Sequence, residues 1–344
     1  MKKILFVDYI QQIGHVNFNR IHIESLIREG YDVKVVVHKD IASRLPFPHD
    51  TYAFLLPLWM RQHKGHPVMN RIRFLVALLY VRCYLWCHHY DEVVLSCIDE
   101  PTLWVMPPSR HFWAVCHGNA MSLTGGGWKR RFLRGLRKKA SFLVFDDYMA
   151  HPFRDNNLSV SVISHGCVPP FPAVDQVSLP NVPHGSHLIF HPSSKMNERC
   201  LYMMQNDNAF QSFLEETDTF LLLNGNGEDK GRIRFVQRRL NDNEYRSLFM
   251  RSDIILMAYP ETFIYSVSGV SFECVSNRKK MLVYKIPSME YCSRLCNYDP
   301  FFSNVSELAS KARKMYQADE QACCMVSPDL LQPSYAAIFE NRTH

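Results

Sequence analysis

No run of apolar residues in this chain is long enough to cross a bilayer. The nearest approach is Arg71 to Trp86, RIRFLVALLYVRCYLW, where Arg82 interrupts the apolar stretch well short of the roughly twenty residues a spanning helix needs. That segment is expected to be a buried or surface helix. Metal-site spacing is missing too. Cys83, Cys87, His88 and His89 lie close together and Cys292 and Cys296 stand four apart, but neither group has a second ligand pair at the interval zinc sites use, so no metal is expected. The eleven cysteines are scattered through a chain that starts without a signal peptide, which reads as reduced thiols in a cytoplasmic protein. Neither common phosphate-binding fingerprint is present. Gly14 stands alone where G-x-G-x-x-G needs three glycines, and no Gly-Lys-Ser/Thr follows the glycines of TGGGWKRRFLRGLRKKA at Thr124 to Ala140. The net charge of +6 is mild; it suits phosphate-bearing ligands or an anionic membrane surface. Without basic residues interleaved with aromatics in a known module, nucleic acid is not an expected partner.

What is present suffices for two cores. The 344 residues exceed the usual single domain, and 47% hydrophobic against 21% charged residues gives no reason to invoke disorder. Lys2 to Tyr9 opens as a buried parallel strand, a helix follows Gly14 as far as Glu29, Gly30 stops it, and Asp32 to His38 is a second strand. This is the opening of a Rossmann-like half. Glu92 to Cys97 and Phe112 to Cys116 are further strands ending in small or polar residues, as at the carboxyl edge of a parallel sheet, and His117 stands just after the second. The helix in Thr124 to Ala140 has an inward stripe of Phe132, Leu133, Leu136 and Ala140. Its cations, Lys129, Arg130 and Arg134 among them, are either a solvated face or a contact for the phosphate of a lipid-linked acceptor or for anionic lipid. Pro169, Pro170, Pro172, Pro180 and Pro183 are the densest group of breakers in the chain. They place a first domain at 1–170, a linker at 171–184 and a second domain at 185–344.

The most informative stretch is Ser252 to Pro287, SDIILMAYPETFIYSVSGVSFECVSNRKKMLVYKIP. Ile254 to Ala258 is a short apolar run suited to a strand buried on both faces. Ser266, Ser268 and Gly269 open a helix reaching about Asn277, and Met281 to Tyr284 begins the next strand. A helix entered through Ser and Gly offers unpaired N–H groups and the positive end of its dipole, which together bind anions. Glu273, one turn in, is placed to hold a vicinal diol while the N–H groups hold a diphosphate. The alternative is an ordinary αβ unit with a surface Glu.

This order of parts resembles the carboxy-terminal donor-site motif of GT-B retaining glycosyltransferases, glycosyltransferase family 4 in particular. The resemblance implies an α/β GT-B fold, two Rossmann-like domains with parallel sheets facing across a cleft, and a tail that packs back on the first domain. It aligns Glu273 with the family's second Glu, which holds the ribose. Tyr265 stands where the family has its first Glu, with Glu261 four residues earlier as a substitute carboxylate; Arg278 replaces the usual helix-ending Gly and Lys280 the usual Pro. Pro192-Ser193 replaces the family's Gly-Arg, leaving Lys195 and Arg199 to neutralise the diphosphate. Asn224 and Gly225, in the Asn-Gly-Asn-Gly loop that follows the strand within Phe220 to Gly227, are implied to stand beside the nucleotide. Ser268, Gly269 and Val270 supply N–H groups to the donor. In the first domain the resemblance implies that Gly14 and His15 approach the donor and that His117 faces the reacting sugar. The plainer alternatives are a turn glycine beside a solvated histidine, and a histidine held by a backbone carbonyl.

The implied activity is metal-independent transfer of a hexosyl group, with retention, from a nucleoside diphosphate sugar to a hydroxyl of a saccharide or lipid-linked saccharide. No cofactor is expected. The setting would be surface or capsular polysaccharide or lipopolysaccharide assembly, in the cytoplasm or peripherally at the inner face of the membrane. Two rivals stand: a UDP-sugar 2-epimerase-like enzyme, and a catalytically silent GT-B subunit that binds nucleotide or scaffolds an assembly.

Overall fold

The computed structural model describes residues 1–10, 15–63, 65–106, 111–173, 182–183, 185–237, 240–318 and 323–340. Gly14 and most of the proline-rich stretch 171–184 lie outside them. The chain forms two compact units. The first comprises Met1–Gly166, Tyr265–Val267 and Leu331–His344, the second Cys167–Ile264 and Ser268–Leu330.

The first unit runs β1 (Lys3–Val7), α1 (Val16–Arg28), β2 (Asp32–His38), α2 (Lys39–Ala42), β3 (Tyr52–Leu56), α3 (Pro67–Cys87), β4 (Glu92–Leu95), β5 (Phe112–Val115), α4 (Met121–Thr124), α5 (Trp128–Gly135), β6 (Ala140–Val144), α6 (Asp147–Asp155) and β7 (Val160–Val162). Among the described residues its seven strands are all parallel, in the order β3-β2-β1-β4-β5-β6-β7. Ile4, Leu5, Phe6 and Val7 are fully enclosed. Helices cover both faces of a parallel sheet, so its central strands are continuous apolar runs rather than alternating ones. Strand β3 escapes the sequence reading because it lies at the sheet edge, where Tyr52 to Leu55 are only half buried. Helix α6 escapes because it contains Pro152, although Asp146 caps it by accepting the Tyr148 N–H at 2.8 Å. Helix α5 ends at Gly135, short of the stripe's Leu136 and Ala140, and the strand expected from Ala140 to Asp146 is β6.

The second unit runs β8 (His187–His191), α7 (Glu198–Asn206), α8 (Asn208–Glu216), β9 (Thr219–Asn224), β10 (Ile233–Val236), α9 (Asp242–Arg251), β11 (Ile254–Met257), α10 (Gly269–Ser276), β12 (Lys280–Tyr284), β13 (Phe301–Phe302) and α11 (Val305–Gln317). Its described strands are parallel in the order β10-β9-β8-β11-β12-β13. Helices α7 and α8 follow one another across the single residue Asp207. Asn197 and Asp207 cap them, accepting the N–H groups of Cys200 and Phe210. The last helix, α12 (Ala336–Glu340), returns to the first unit. There Tyr335 is fully buried, its N–H bonded to the Glu29 carboxylate at 3.0 Å and its hydroxyl to His22 Nδ1 at 2.8 Å.

Candidate functional site

In each sheet the chain changes winding direction beside its first strand: β1 lies between β2 and β4, and β8 between β9 and β11. In doubly wound folds ligands bind at the carboxyl ends of the strands at such a point. Both units carry polar groups there.

In the second unit the loop after β8 is fixed from several sides. Asn224, at the end of β9, donates Nδ2–H to Pro192 O at 2.7 Å, and Asn197 N–H donates to Ala258 O, just past β11, at 2.7 Å. Gly225 follows with φ near 150°, a backbone few side chains tolerate. His191 faces two carbonyls, Leu256 O at 2.9 Å and Lys195 O at 3.2 Å. Burial lowers its pKa despite these acceptors, so the neutral ring donates to one of them at a time. Lys195 and Arg199 hold their side chains in solvent.

The His191 ring lies 6.1 Å from that of Tyr259, whose hydroxyl is 2.7 Å from Ser268 Oγ. Ser268 is the N-cap of α10, but its side chain caps nothing, and its own N–H donates to the Tyr291 hydroxyl at 2.8 Å. The helix thus starts with the N–H groups of Gly269 and Val270 uncapped by any side chain among the described residues, and a Cβ added at Gly269 would meet nothing within 4 Å. That is an open anion site of the kind a phosphate accepts. One turn further, Glu273 Oε2 accepts the Tyr245 hydroxyl proton at 2.5 Å. Part of the residue remains accessible, yet protein surrounds its carboxyl group. Burial pushes the carboxyl up to about 7, against the Tyr245 hydrogen bond and the positive charge of Arg246. Helix α10 closes in a Schellman arrangement: Arg278 N–H bonds to Val275 O at 3.3 Å and Lys279 N–H to Cys274 O at 2.9 Å, with Arg278 left-handed at φ 51°.

In the first unit four histidines meet at the carboxyl edge. His15 stacks on His117 with centroids 4.3 Å apart, and Phe18 lies 4.7 Å from His117, 4.0 Å from His22 and 5.4 Å from His165. Phe145 closes the group at 5.1 Å from both His117 and His165. His117 donates Nε2–H to Ser96 O at 3.0 Å, beyond the end of β4. Burial, then the neighbouring His15, hold it well below the ordinary histidine range, so it is neutral with Nδ1 as an acceptor. His22 and His165 are depressed to about 3 and about 4, burial being the largest cause for each. Burial lowers His15 as well, opposed by buried Asp8, and His15 Nδ1 is buried without a hydrogen-bond partner. Among the described residues no group of three or more His, Cys, Asp or Glu is arranged to hold a metal.

Other singled-out residues stand elsewhere. Tyr265, left-handed at φ 49°, groups with the first unit, where its ring stacks on Tyr148 at 4.8 Å, while Glu273 belongs to the second. Glu261 is exposed in a turn. Lys129 Nζ is 3.4 Å from Glu100 Oε2, and Arg130 Nε donates to Asn156 Oδ1 at 2.6 Å, so both cations face internal acceptors; Arg134 is exposed. Sequence reasoning missed Glu100, a nearly buried carboxylate accepting from Asn119 Nδ2 at 3.0 Å and Ser122 Oγ at 2.7 Å. Burial opposes its ionisation, but those hydrogen bonds and Lys129 prevail and its pKa falls below the usual value. His22, His165, Asp8 and Tyr245 were missed too. One signal was present: His117-Gly118 and His165-Gly166 are the same pair, each shortly after a strand of one sheet.

No family model matches the chain, nor does any curated protein sequence. Solved structures do. Anabaena HepE, in complex with UDP and glucose, superposes with a TM-score of 0.59 at 12% identity, covering 99% of this chain and 98% of that one. A UDP-forming trehalose-phosphate synthase from Burkholderia xenovorans gives 0.59 at 11%, covering 94% and 93%. A Listeria monocytogenes protein described as a UDP-N-acetylglucosamine 2-epimerase gives 0.55 at 11%, covering 99% and 95%. At this identity the likeness speaks for the fold. That fold is GT-B, α/β with two parallel-sheet Rossmann-like units.

Proposed function

We propose that the chain is a glycosyltransferase that takes a sugar from a nucleoside diphosphate and attaches it to a hydroxyl acceptor. The observation that carries this reading is the pairing, in the second unit, of an open helix N-terminus at Gly269 and Val270 with a carboxyl group one turn in, Glu273, poised near 7. The N–H groups take the diphosphate, Lys195 and Arg199 add charge to the leaving group, and Glu273 holds the ribose diol. In the first unit His117, neutral with Nδ1 as an acceptor, orients a sugar hydroxyl, and His15 stacked on it fixes the ring. The reaction breaks the bond from the anomeric carbon to the diphosphate oxygen and forms one to the acceptor oxygen on the same face, while the acceptor's hydroxyl proton passes to the departing diphosphate. It needs no metal, since fixed N–H dipoles stabilise the departing charge. The structural neighbours bound to UDP and glucose, or described as UDP-forming, support a uridine nucleotide as the donor half. A saccharide or lipid-linked saccharide of surface polysaccharide assembly is the proposed acceptor.

The test is a thermal-shift screen of the purified protein against UDP, GDP, their sugar conjugates, ADP and CMP, because a ligand binding only the folded state raises its stability. One diphosphate should raise the melting temperature, the rise should vanish in Glu273→Ala, and His117→Ala should keep the rise but lose transfer. No rise with any nucleotide in folded protein removes the reading. Tyr265 favours one alternative: it stands where the resembled family has its first carboxylate, but sits in the first unit. Nucleotide binding with neither transfer nor hydrolysis would select a silent subunit.

A further inference from the structure

Helix α3 is apolar on two sides. Phe74, Ala77, Leu78, Val81 and Leu85 enter the first core and are at most 6% exposed. Val68, Ile72, Leu75, Leu79 and Trp86 form a second row at intervals of three, four and seven residues, and are 72, 48, 37, 41 and 67% exposed. Cys83, which completes the row, is exposed as well. An amphipathic surface helix needs one apolar stripe toward the core, and this one carries a second that faces solvent, so the outer row serves something other than the fold.

The surroundings say what. The turn Leu58–Met60 and the 3-10 segment Glu100–Val105 pack on α3, and α5 packs on that segment. They carry Trp59, Trp104 and Trp128 on elements packed on or next to α3, Trp128 beside Arg71 near the start of the helix and Trp86 at its end, so four of the chain's five tryptophans are exposed on or beside this helix. Cations interleave with them. The Arg71 guanidinium lies over the Trp128 ring at 5.7 Å, that of Arg82 over Trp86 at 5.2 Å, and the Lys139 ammonium over Trp104 at 5.5 Å. Neither α3 nor α5 contains an acidic residue, while α3 carries Arg71, Arg73 and Arg82 and α5 carries Lys129, Arg130, Arg131 and Arg134. The nearby carboxylates are engaged, Glu100 in its buried network and Asp99 3.8 Å from Arg71.

We propose that this face of the first unit docks on an anionic lipid bilayer, with α3 lying in the plane of the surface. The outer row enters the boundary between headgroups and acyl chains, to a depth of about 5–10 Å for such helices. Tryptophan rings sit at headgroup level, where one edge is apolar and the other wet, and the exposed Arg131 and Arg134 of α5 meet lipid phosphate, whereas Lys129 and Arg130 stay on Glu100 and Asn156. A second copy of the chain is a poorer occupant. A two-fold interface sets a patch against itself, and here it would bring one-signed cations together. The proposal does not rest on sugar transfer, and its test needs no nucleotide.

The test is co-sedimentation of the full chain with vesicles of phosphatidylcholine alone or of phosphatidylcholine with phosphatidylglycerol, alongside tryptophan emission. Wild type should partition onto the phosphatidylglycerol vesicles at least tenfold more strongly than onto phosphatidylcholine, with a blue-shifted emission, and salt should weaken this. The double variant Leu79→Ser, Trp86→Ser should lose at least tenfold in partition while keeping its melting temperature, since both side chains are exposed. Three results overturn the proposal: wild type staying in the supernatant with both vesicles; the double variant partitioning as strongly as wild type; or a solution dimer that Leu79→Ser dissociates without changing vesicle binding.

Discussion

Glu273 should make the second unit less stable as pH rises, and its removal should reveal by how much. In the unfolded chain its carboxyl group titrates at the ordinary value of 4.5; in the folded site it titrates at about 7. The folded state therefore holds the extra proton between those values, and stability falls as pH climbs from about 4.5 to about 7, then levels off. Below 4.5 both states are protonated and the penalty is absent. At about 1.4 kcal/mol per pH unit the full penalty is about 3 kcal/mol above pH 8. Glu273→Gln keeps the shape and an acceptor for the Tyr245 hydroxyl but cannot ionise. It should stabilise the second unit by about 2–3 kcal/mol at pH 8 and by almost nothing at pH 4. Nucleotide binding should fall in the same variant, the pattern of a site that sacrifices stability for function. All five tryptophans lie in the first unit, so their emission does not report this transition. Hydrogen exchange of the β11 and β12 amides at the two pH values does. A variant no more stable than wild type at pH 8, or stabilised equally at both, would refute the reasoning.

Two further substitutions test the local geometry. Arg278 closes α10 at φ 51°, a conformation costing a residue with a side chain about 1–2 kcal/mol, partly offset by the unfolded-state freedom a glycine adds, so Arg278→Gly should stabilise the second unit by about 0.5–1 kcal/mol in urea unfolding. Lys129→Met removes the ion-pair partner of nearly buried Glu100. Because the lysine is itself 39% exposed and screened, the loss should be about 1 kcal/mol at pH 7, read from tryptophan emission; it should shrink as pH falls and the carboxylate protonates, since that stabilisation is present only above the carboxyl's titration.

The chain's own order of residues determined a great deal. Short runs such as Ile4 to Val7, Val35 to Val37 and Leu221 to Leu223, closed off within a few residues by polar or turn residues, suit strands enclosed on both faces, and their alternation with helical stretches makes two parallel sheets. The strand, loop and helix around Ser268 and Glu273 were legible because an N-terminus and a carboxyl group one turn in are local features. The group of histidines was not. His15, His22, His117 and His165 come from distant points in the chain, and they meet because β1, β4, β5, β6 and β7 pair in succession, which brings the ends of those strands to one edge. Glu100 carried no local signal, because its partners Asn119, Ser122 and Lys129 come from further along the chain and only the fold closes them around it. Tyr265 looked like part of the donor loop, but three residues of that loop group with the first unit. Helix α3 shows the same division. The length of the apolar stretch, broken by Arg82, marked Arg71 to Trp86 as a buried or surface helix. Which side is covered depends on what packs there, and only the tertiary structure left the row from Val68 to Trp86 facing outward.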